Sequence, residues 1–172
     1  MISAATFHVI TTELVVGMFS LAGIAYLLLV LDKKREVSDI IAHFSMLGGL
    51  VFLPPAILFG IYADPAEQMS NELLANKVLL SFSALGLSLG VLINRWLNKG
   101  PISGWLHPSI GMVSCGMILL VASLGGMYTR GESLLFFLPK DIVIIFPVWA
   151  SAILLAMGIT MVSKSSIEHR RG

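Results

Sequence analysis

The sequence has few charged side chains and almost no cysteine. Asp, Glu, Lys and Arg make up 12% of the 172 residues, against about a quarter in soluble domains. A single cysteine, Cys115, excludes an intrachain disulfide framework and a cysteine-based metal site. The formal net charge of +1 gives no basic surface for nucleic acid. No basic stretch or small-residue cleavage site accompanies the first apolar run, so we expect no cleavable signal peptide.

Long apolar segments are abundant instead. Hydrophobic residues make up 56% of the chain, and the mean hydropathy is +0.90. A helix needs about 20 apolar residues to cross a membrane. We therefore predict an all-α, polytopic membrane helix bundle that forms a single domain over residues 1–172. Its five transmembrane helices are predicted at about residues 7–31, 40–63, 73–97, 106–128 and 142–162.

The basic residues that flank these helices are unevenly distributed, which predicts the orientation of the chain. One side of the membrane receives most of them: Lys33, Lys34, Arg35, Arg95, Lys99, Lys164, Arg170 and Arg171. The other side receives only two basic residues, Arg130 and Lys140, and several carboxylates lie beside them. Since cytoplasmic loops are enriched in Lys and Arg, we predict an outer N-terminus, a cytoplasmic C-terminus and a location in the plasma or inner membrane.

Two histidines within the predicted cytoplasmic half are the main functional candidates, because ionisable groups are costly in lipid. His43 lies on helix 2 and His107 opens helix 4, about 5 Å nearer the surface at 1.5 Å per residue, an offset that helix tilt can absorb. Histidines commonly hold haem iron, and bundles build such sites from facing side chains. The pair is therefore a candidate set of axial ligands for haem b, with Gly111 clearing space for the macrocycle. The alternative is two hydrogen-bonded polar residues without a cofactor.

Three other ionisable residues fall in the predicted outer part of the bundle. Glu13 lies about two turns into helix 1 and Lys77 about one turn into helix 3. We expect this polar pair to face the interior and to interact directly or through water. It can fix the helix register, form a proton or ion site, or contact another subunit. His8 starts helix 1 and is a metal candidate, with Glu13 for copper or with Met69 or Met127 as the second ligand of a haem.

Four stretches of the chain carry a resemblance to a known family: "FHVITTELVVGMFSLAGIAYLLLVLD", "LFGIYAD", "NKVLLSFSALGLSLGVLINRW" and "LGGMYTRG". A histidine opens the first stretch, and Gly60 and Asp64 lie in the second. Over about Phe7 to Gly131 the chain is similar to a family of small, uncharacterised four-helix membrane proteins that are described as predicted haem-binding proteins. The resemblance implies a helix bundle in the membrane and a bound haem.

The chain departs from that family at two points. The family's histidine and proline signature on helix 1 is reduced to His8, and helix 3 has Asn76 and Lys77 where the family has a histidine. If the two family histidines form an outer ligand pair, this chain has lost half of it, and a contact between Glu13 and Lys77 takes its position. The fifth helix also lies outside the family pattern. The resemblance therefore implies the fold more directly than it implies the cofactor.

The function classes are narrowed by what the short predicted loops can hold. No Ser-His-Asp set, phosphate-binding loop or metal-ligand cluster is recognisable, so we do not expect the chain to be catalytic on its own. One hypothesis is an electron-transfer subunit of a respiratory or oxidoreductase complex that binds haem b. Another is a cofactor-free accessory subunit that stabilises a membrane complex. A transporter is disfavoured by the apolar mid-plane. Both main hypotheses predict other membrane subunits and lipid as partners, and no nucleic acid.

Overall fold

The computed structural model describes residues 3–33, 35–63, 72–98, 102, 104–131 and 148–171. All regular structure in these residues is helical: α1 (Ala4–Val30), α2 (Arg35–Ala63), α3 (Glu72–Leu97), α4 (Leu106–Arg130) and α5 (Val148–Arg171). The first four helices are long and apolar enough to cross a membrane. The prediction of an all-α bundle with several candidate membrane spans is therefore confirmed for the described part of the chain.

The second helix begins earlier than its apolar run. α2 starts at Arg35 rather than at residue 40, directly after a turn in which Asp32 has a φ of 54°. Arg35 Nη1 donates to Asp32 Oδ1 at 2.8 Å, and Ser38 Oγ donates to the Lys33 carbonyl at 3.0 Å. Arg and Glu are good helix formers, so the helix continues into charged sequence. Hydropathy therefore predicts where a membrane segment begins and misses where the helix itself begins.

The fifth helix differs most from its prediction. α5 runs on to Arg171, past the predicted end at residue 162, while residues 142–147 of the predicted segment lie outside the described residues. Within its described residues, α5 is not among the helices that meet the length and apolarity of a membrane span. It packs against α3. A fifth membrane span stays a prediction.

The first four helices form a ring. α1 packs against α2 and α4, and α3 packs against the same two helices. In the described residues, no Cα atoms of α1 and α3 lie within 8 Å of each other, nor do those of α2 and α4, whose long side chains meet across the axis. α1 therefore lies opposite α3 across the bundle axis, and α2 lies opposite α4. The largest fully buried side chains fill that axis: Phe19, Tyr26, Met46, Leu80, Leu87, Ile118 and Val91. Where α3 meets α4, Ser88 Oγ and Ser114 Oγ form a 2.7 Å hydrogen bond, a common contact between membrane helices.

The two ends of the bundle carry different residues. We call the end that contains the N-termini of α2 and α4 the His107 end, and the end that contains the N-termini of α1 and α3 the His8 end. Trp96 and Trp105 both belong to the His107 end and are 78% and 70% exposed. Exposed tryptophans near helix termini are typical of membrane interfaces.

Candidate functional site

The two candidate histidines meet across the bundle axis at the His107 end. His43 on α2 and His107 on α4 are buried, and their Nε2 atoms lie 3.0 Å apart. The ring planes are within 15° of parallel, and the ring centroids are 5.3 Å apart. The centroids are thus 2.3 Å further apart than the nitrogens, which is about twice the radius of an imidazole ring. The rings therefore point at each other end to end and do not stack face to face.

The hydrogen bonds of the pair define which ring nitrogens carry protons. His43 Nδ1 lies 2.7 Å from the Asp39 carbonyl oxygen, which can only accept, so Nδ1 donates. In a neutral ring, His43 Nε2 is then the acceptor, and His107 Nε2 must donate to it. His107 Nδ1 is left as an acceptor, and Asn94 Nδ2 lies 3.3 Å from it. One chain of donors therefore runs from Asn94 through both histidines to Asp39, and it satisfies all four ring nitrogens with both rings neutral.

A buried ion pair borders the histidines. Arg95 on α3 donates to Asp39 Oδ2 through Nε at 2.7 Å and through Nη2 at 2.6 Å. The Asp39 side chain is 4% exposed, and its Oδ1 lies 3.4 Å from His43 Nδ1. A carboxylate in such a place is costly unless it is paired, and the Arg95 guanidinium compensates its charge. The ion pair joins α2 to α3, while the histidine pair joins α2 to α4, so this end of the ring is closed by polar contacts.

An aromatic side chain fills the space beside the pair. The Tyr26 ring of α1 meets the His43 ring edge to face, with 5.3 Å between centroids and 79° between planes. Its hydroxyl donates to Met46 Sδ at 3.4 Å. A Cβ on Gly111 would lie only 2.6 Å from Tyr26 Cζ. The space that Gly111 was expected to open for a macrocycle is therefore occupied by the Tyr26 ring.

The two imidazole nitrogens of this pair are ligands of the kind that haem iron binds. The distance between them, however, is too short for a macrocycle to fit. Both Nε2 atoms face a common point, and both Nδ1 atoms are held by partners, as is typical of metal-binding histidines. Metal–imidazole bonds of about 2.0–2.1 Å, the zinc value, would place the two Nε2 atoms about 4 Å apart. Binding would therefore require the rings to separate by about 1 Å and Tyr26 to leave Gly111.

The His8 end contains a cavity of about 530 Å³ between α1, α2, α3 and α4. Its ionisable lining groups are His8, Glu13 and Lys77, and most of the other lining side chains are apolar. His8 packs closely against α2, because a Cβ on Gly60 would lie 2.9 Å from its Cε1. His8 Nδ1 is 2.8 Å from the Ala56 carbonyl oxygen and therefore donates to it, which leaves Nε2 as the acceptor of a neutral ring.

Glu13 and Lys77 face the same cavity without a direct ion pair. Both line it from opposite helices of the ring, Glu13 from α1 and Lys77 from α3. Among the described residues no carboxylate oxygen lies within 4.0 Å of Lys77 Nζ. On α4, a Cβ added to Gly125 would lie 3.3 Å from that nitrogen. An interaction between Glu13 and Lys77 through water stays a prediction.

The remaining metal prediction concerns His8, with Glu13, Met69 or Met127 as its partner. Met69 lies outside the described residues. Within the part of the chain that the structure describes, no three His, Cys, Asp or Glu side chains cluster as metal ligands would. A copper or haem role for His8 stays a prediction.

The sequence analysis missed four residues of the site at the His107 end. They are Asp39, Asn94, Arg95 and Tyr26, of which Arg95 alone entered the sequence analysis, through the orientation of the chain. One signal for Asp39 was present, because it precedes His43 by four positions and so shares its helix face. The roles of Tyr26 and Asn94 depend on how the helices face each other, which the sequence spacing of a single helix does not specify.

Comparison with known proteins gave no match: no family model, no curated protein and no solved structure is similar to this chain at a significant level. The site must therefore be interpreted from its own geometry.

Proposed function

We propose that this chain is a multi-pass subunit of a larger respiratory or oxidoreductase complex in the plasma or inner membrane. The four candidate spans support a location in a membrane. The basic residues Lys33, Arg35 and Arg95 at the His107 end support the proposal that this end faces the cytoplasm. The N-terminus would then lie outside, and α5 would have to cross as a fifth span for the C-terminus to lie in the cytoplasm.

Electron transfer through a haem b is the first candidate function, because the two histidines supply the type and direction of ligand that haem iron takes. The observation that carries it is the end-to-end alignment of His43 and His107 from opposite helices, with each Nδ1 held by another group. His43 and His107 would hold the iron, and the bound group would supply one-electron redox chemistry. Ligation requires both Nε2 atoms to lack a proton, so His107 Nδ1 would become a donor. Asn94 can then serve as its acceptor by turning its amide, which gives up the hydrogen bond that Asn98 Nδ2 donates to Asn94 Oδ1.

A cofactor-free accessory subunit is the second candidate, and a different observation favours it. The Nε2 atoms are already in hydrogen-bond contact at 3.0 Å, and Tyr26 fills the adjacent space. In this role the histidine pair and the Asp39–Arg95 pair hold the helices together, and the chain contributes a rigid surface to its complex. Other membrane subunits and lipid are the partners in both cases.

A reduced-minus-oxidised visible spectrum of the complex, purified in mild detergent, separates the two candidates. We expect a b-type haem band that stays with this chain and is lost in both His43→Ala and His107→Ala. His8→Ala removes the histidine of the opposite end, and the haem band should persist in this variant. Loss of the band in His8→Ala alone would assign the haem to His8 instead. A flat spectrum together with stoichiometric partner bands on a gel would reject electron transfer and favour the accessory role.

A further inference from the structure

The cavity at the His8 end is a second polar site that the histidine pair does not use. Its volume of about 530 Å³ lies within the range of about 300–1,000 Å³ typical of small-molecule sites. All four helices that line it are candidate membrane spans, so a ligand that reaches the cavity from the bilayer must be soluble in lipid. Apolar side chains form most of its wall, among them Val16, Leu53, Ile57, Ile118 and Val121.

The polar groups of this cavity offer both a donor and an acceptor. Lys77 contributes an ammonium, which can only donate, and no described carboxylate lies within 4.0 Å of it. His8 contributes Nε2 as an acceptor, because its Nδ1 donates to the Ala56 carbonyl. Since the two residues belong to α1 and α3, which face each other across the ring, a ligand between these helices can reach both groups.

We propose that this cavity binds a lipid-soluble quinone and its quinol. Lys77 donates a hydrogen bond to a ring carbonyl of the quinone, and His8 Nε2 accepts one from a ring hydroxyl of the quinol. The apolar wall encloses the ring and the start of its tail. The proposal concerns binding alone and does not depend on a haem at the other end of the bundle.

The charge of the cavity favours a neutral ring over a lipid carboxylate. Glu13 lines the same cavity as Lys77, so the wall carries one group of each sign. A fatty-acid carboxylate would be attracted to Lys77 and repelled by Glu13, whereas a quinone is neutral and needs no counter-charge. A quinol also offers the hydroxyl donor that His8 and Glu13 can accept.

The glycines of the bundle provide a matched pair of variants. Gly17 lines the cavity, and a Cβ there would meet no atom within 4 Å, so Gly17→Phe can fill the cavity without a clash at its first side-chain atom. Gly116 on α4 is equally open at Cβ but does not line the cavity, so Gly116→Phe is the control. Lys77→Met removes the donor and keeps a side chain of similar length.

The experiment is native mass spectrometry of the full chain in detergent with decylubiquinone as the probe. We expect one bound decylubiquinone per chain, a loss of at least tenfold in affinity for Gly17→Phe and Lys77→Met, and unchanged binding for Gly116→Phe. Decylbenzene, which has the tail without ring oxygens, should not bind, and palmitate should bind more weakly than the quinone.

Three results would overturn the proposal. Equal binding by Gly17→Phe would place the quinone outside the cavity. Palmitate binding in preference to decylubiquinone would make the ligand an anionic lipid. The absence of any bound quinone, in a sample whose thermal unfolding shows that it is folded, would reject the class of ligand. None of these results bears on the haem spectrum, so the two proposals fail separately.

Discussion

The two ends of this bundle join the same four helices by different means. At the His107 end, polar side chains from three helices satisfy one another, and Tyr26 from the fourth fills the remaining space. At the His8 end, His8, Glu13 and Lys77 line a cavity of about 530 Å³, and no direct ion pair joins Glu13 to Lys77. A polar residue in a candidate membrane span can thus either close a bundle or line a cavity. Its partner, rather than its type, decides which.

The largest expected effect on the free energy of unfolding comes from the loss of the buried ion pair at the His107 end. Arg95→Leu leaves the 4% exposed Asp39 carboxylate without its partner, and breaking a buried pair in this way costs about 3–5 kcal/mol. We expect this loss in the free energy of unfolding by SDS. The double variant Asp39→Asn with Arg95→Leu should recover part of it, because no uncompensated charge remains.

The control for this prediction is Asp32→Asn, which removes an ion pair that is largely exposed. It should leave the unfolding free energy almost unchanged. If Arg95→Leu lowers the unfolding free energy no more than Asp32→Asn does, the Asp39–Arg95 contact does not hold the His107 end together.

An intermediate effect is expected from filling glycines at the two ends. Gly111→Ala places a Cβ 2.6 Å from Tyr26 Cζ, and such overpacking costs about 1–3 kcal/mol. Gly17 lines the cavity at the His8 end, and a Cβ there meets no atom within 4 Å. Gly17→Ala should therefore raise the unfolding free energy by up to about 1 kcal/mol through the better helix propensity of alanine. Thermal unfolding in detergent measures both. Equal changes at the two positions would contradict the difference in packing between the ends.

The smallest expected effect is at Lys77. Lys77→Met removes an ammonium that has no described carboxylate within 4.0 Å, so the ligand-free chain should lose no stability and can gain some. The same unfolding assay, compared directly with Arg95→Leu, provides the measurement. A loss of unfolding free energy as large as that of Arg95→Leu would show that Lys77 has a structural partner at the His8 end.

The fold could be predicted from the sequence in its main features, because hydrophobic run length reports directly on membrane spans. The four candidate spans follow the predicted segments closely, as with α4, predicted from residue 106 and observed from Leu106. Helix ends in charged sequence were less predictable. The start of α2 at Arg35 depends on turn geometry at Asp32 and on helix propensity, neither of which hydropathy contains.

Of the candidate site, the sequence predicted only the two histidines, because their residue type alone suggests a functional role. His43 and His107 could be paired because histidines are rare in this chain and both fall in one half of the predicted bundle. Their 3.0 Å contact depends on how α2 and α4 tilt across the axis. The cavity at the His8 end depends on the positions of four helices at once, and no pattern along a single helix predicts such a space.

The ion pair at Arg95 also has a mechanical consequence, because it fixes one end of α3. Lys77 lies eighteen residues away on the same helix, which is about 27 Å at 1.5 Å per residue. If α3 turns as a rigid rod about Arg95, a rotation of about 5° moves Lys77 by about 2 Å, while the Arg95 end stays nearly still. Such a rotation would widen or narrow the cavity by about the width of an atom while the contact between Arg95 and Asp39 stays in place.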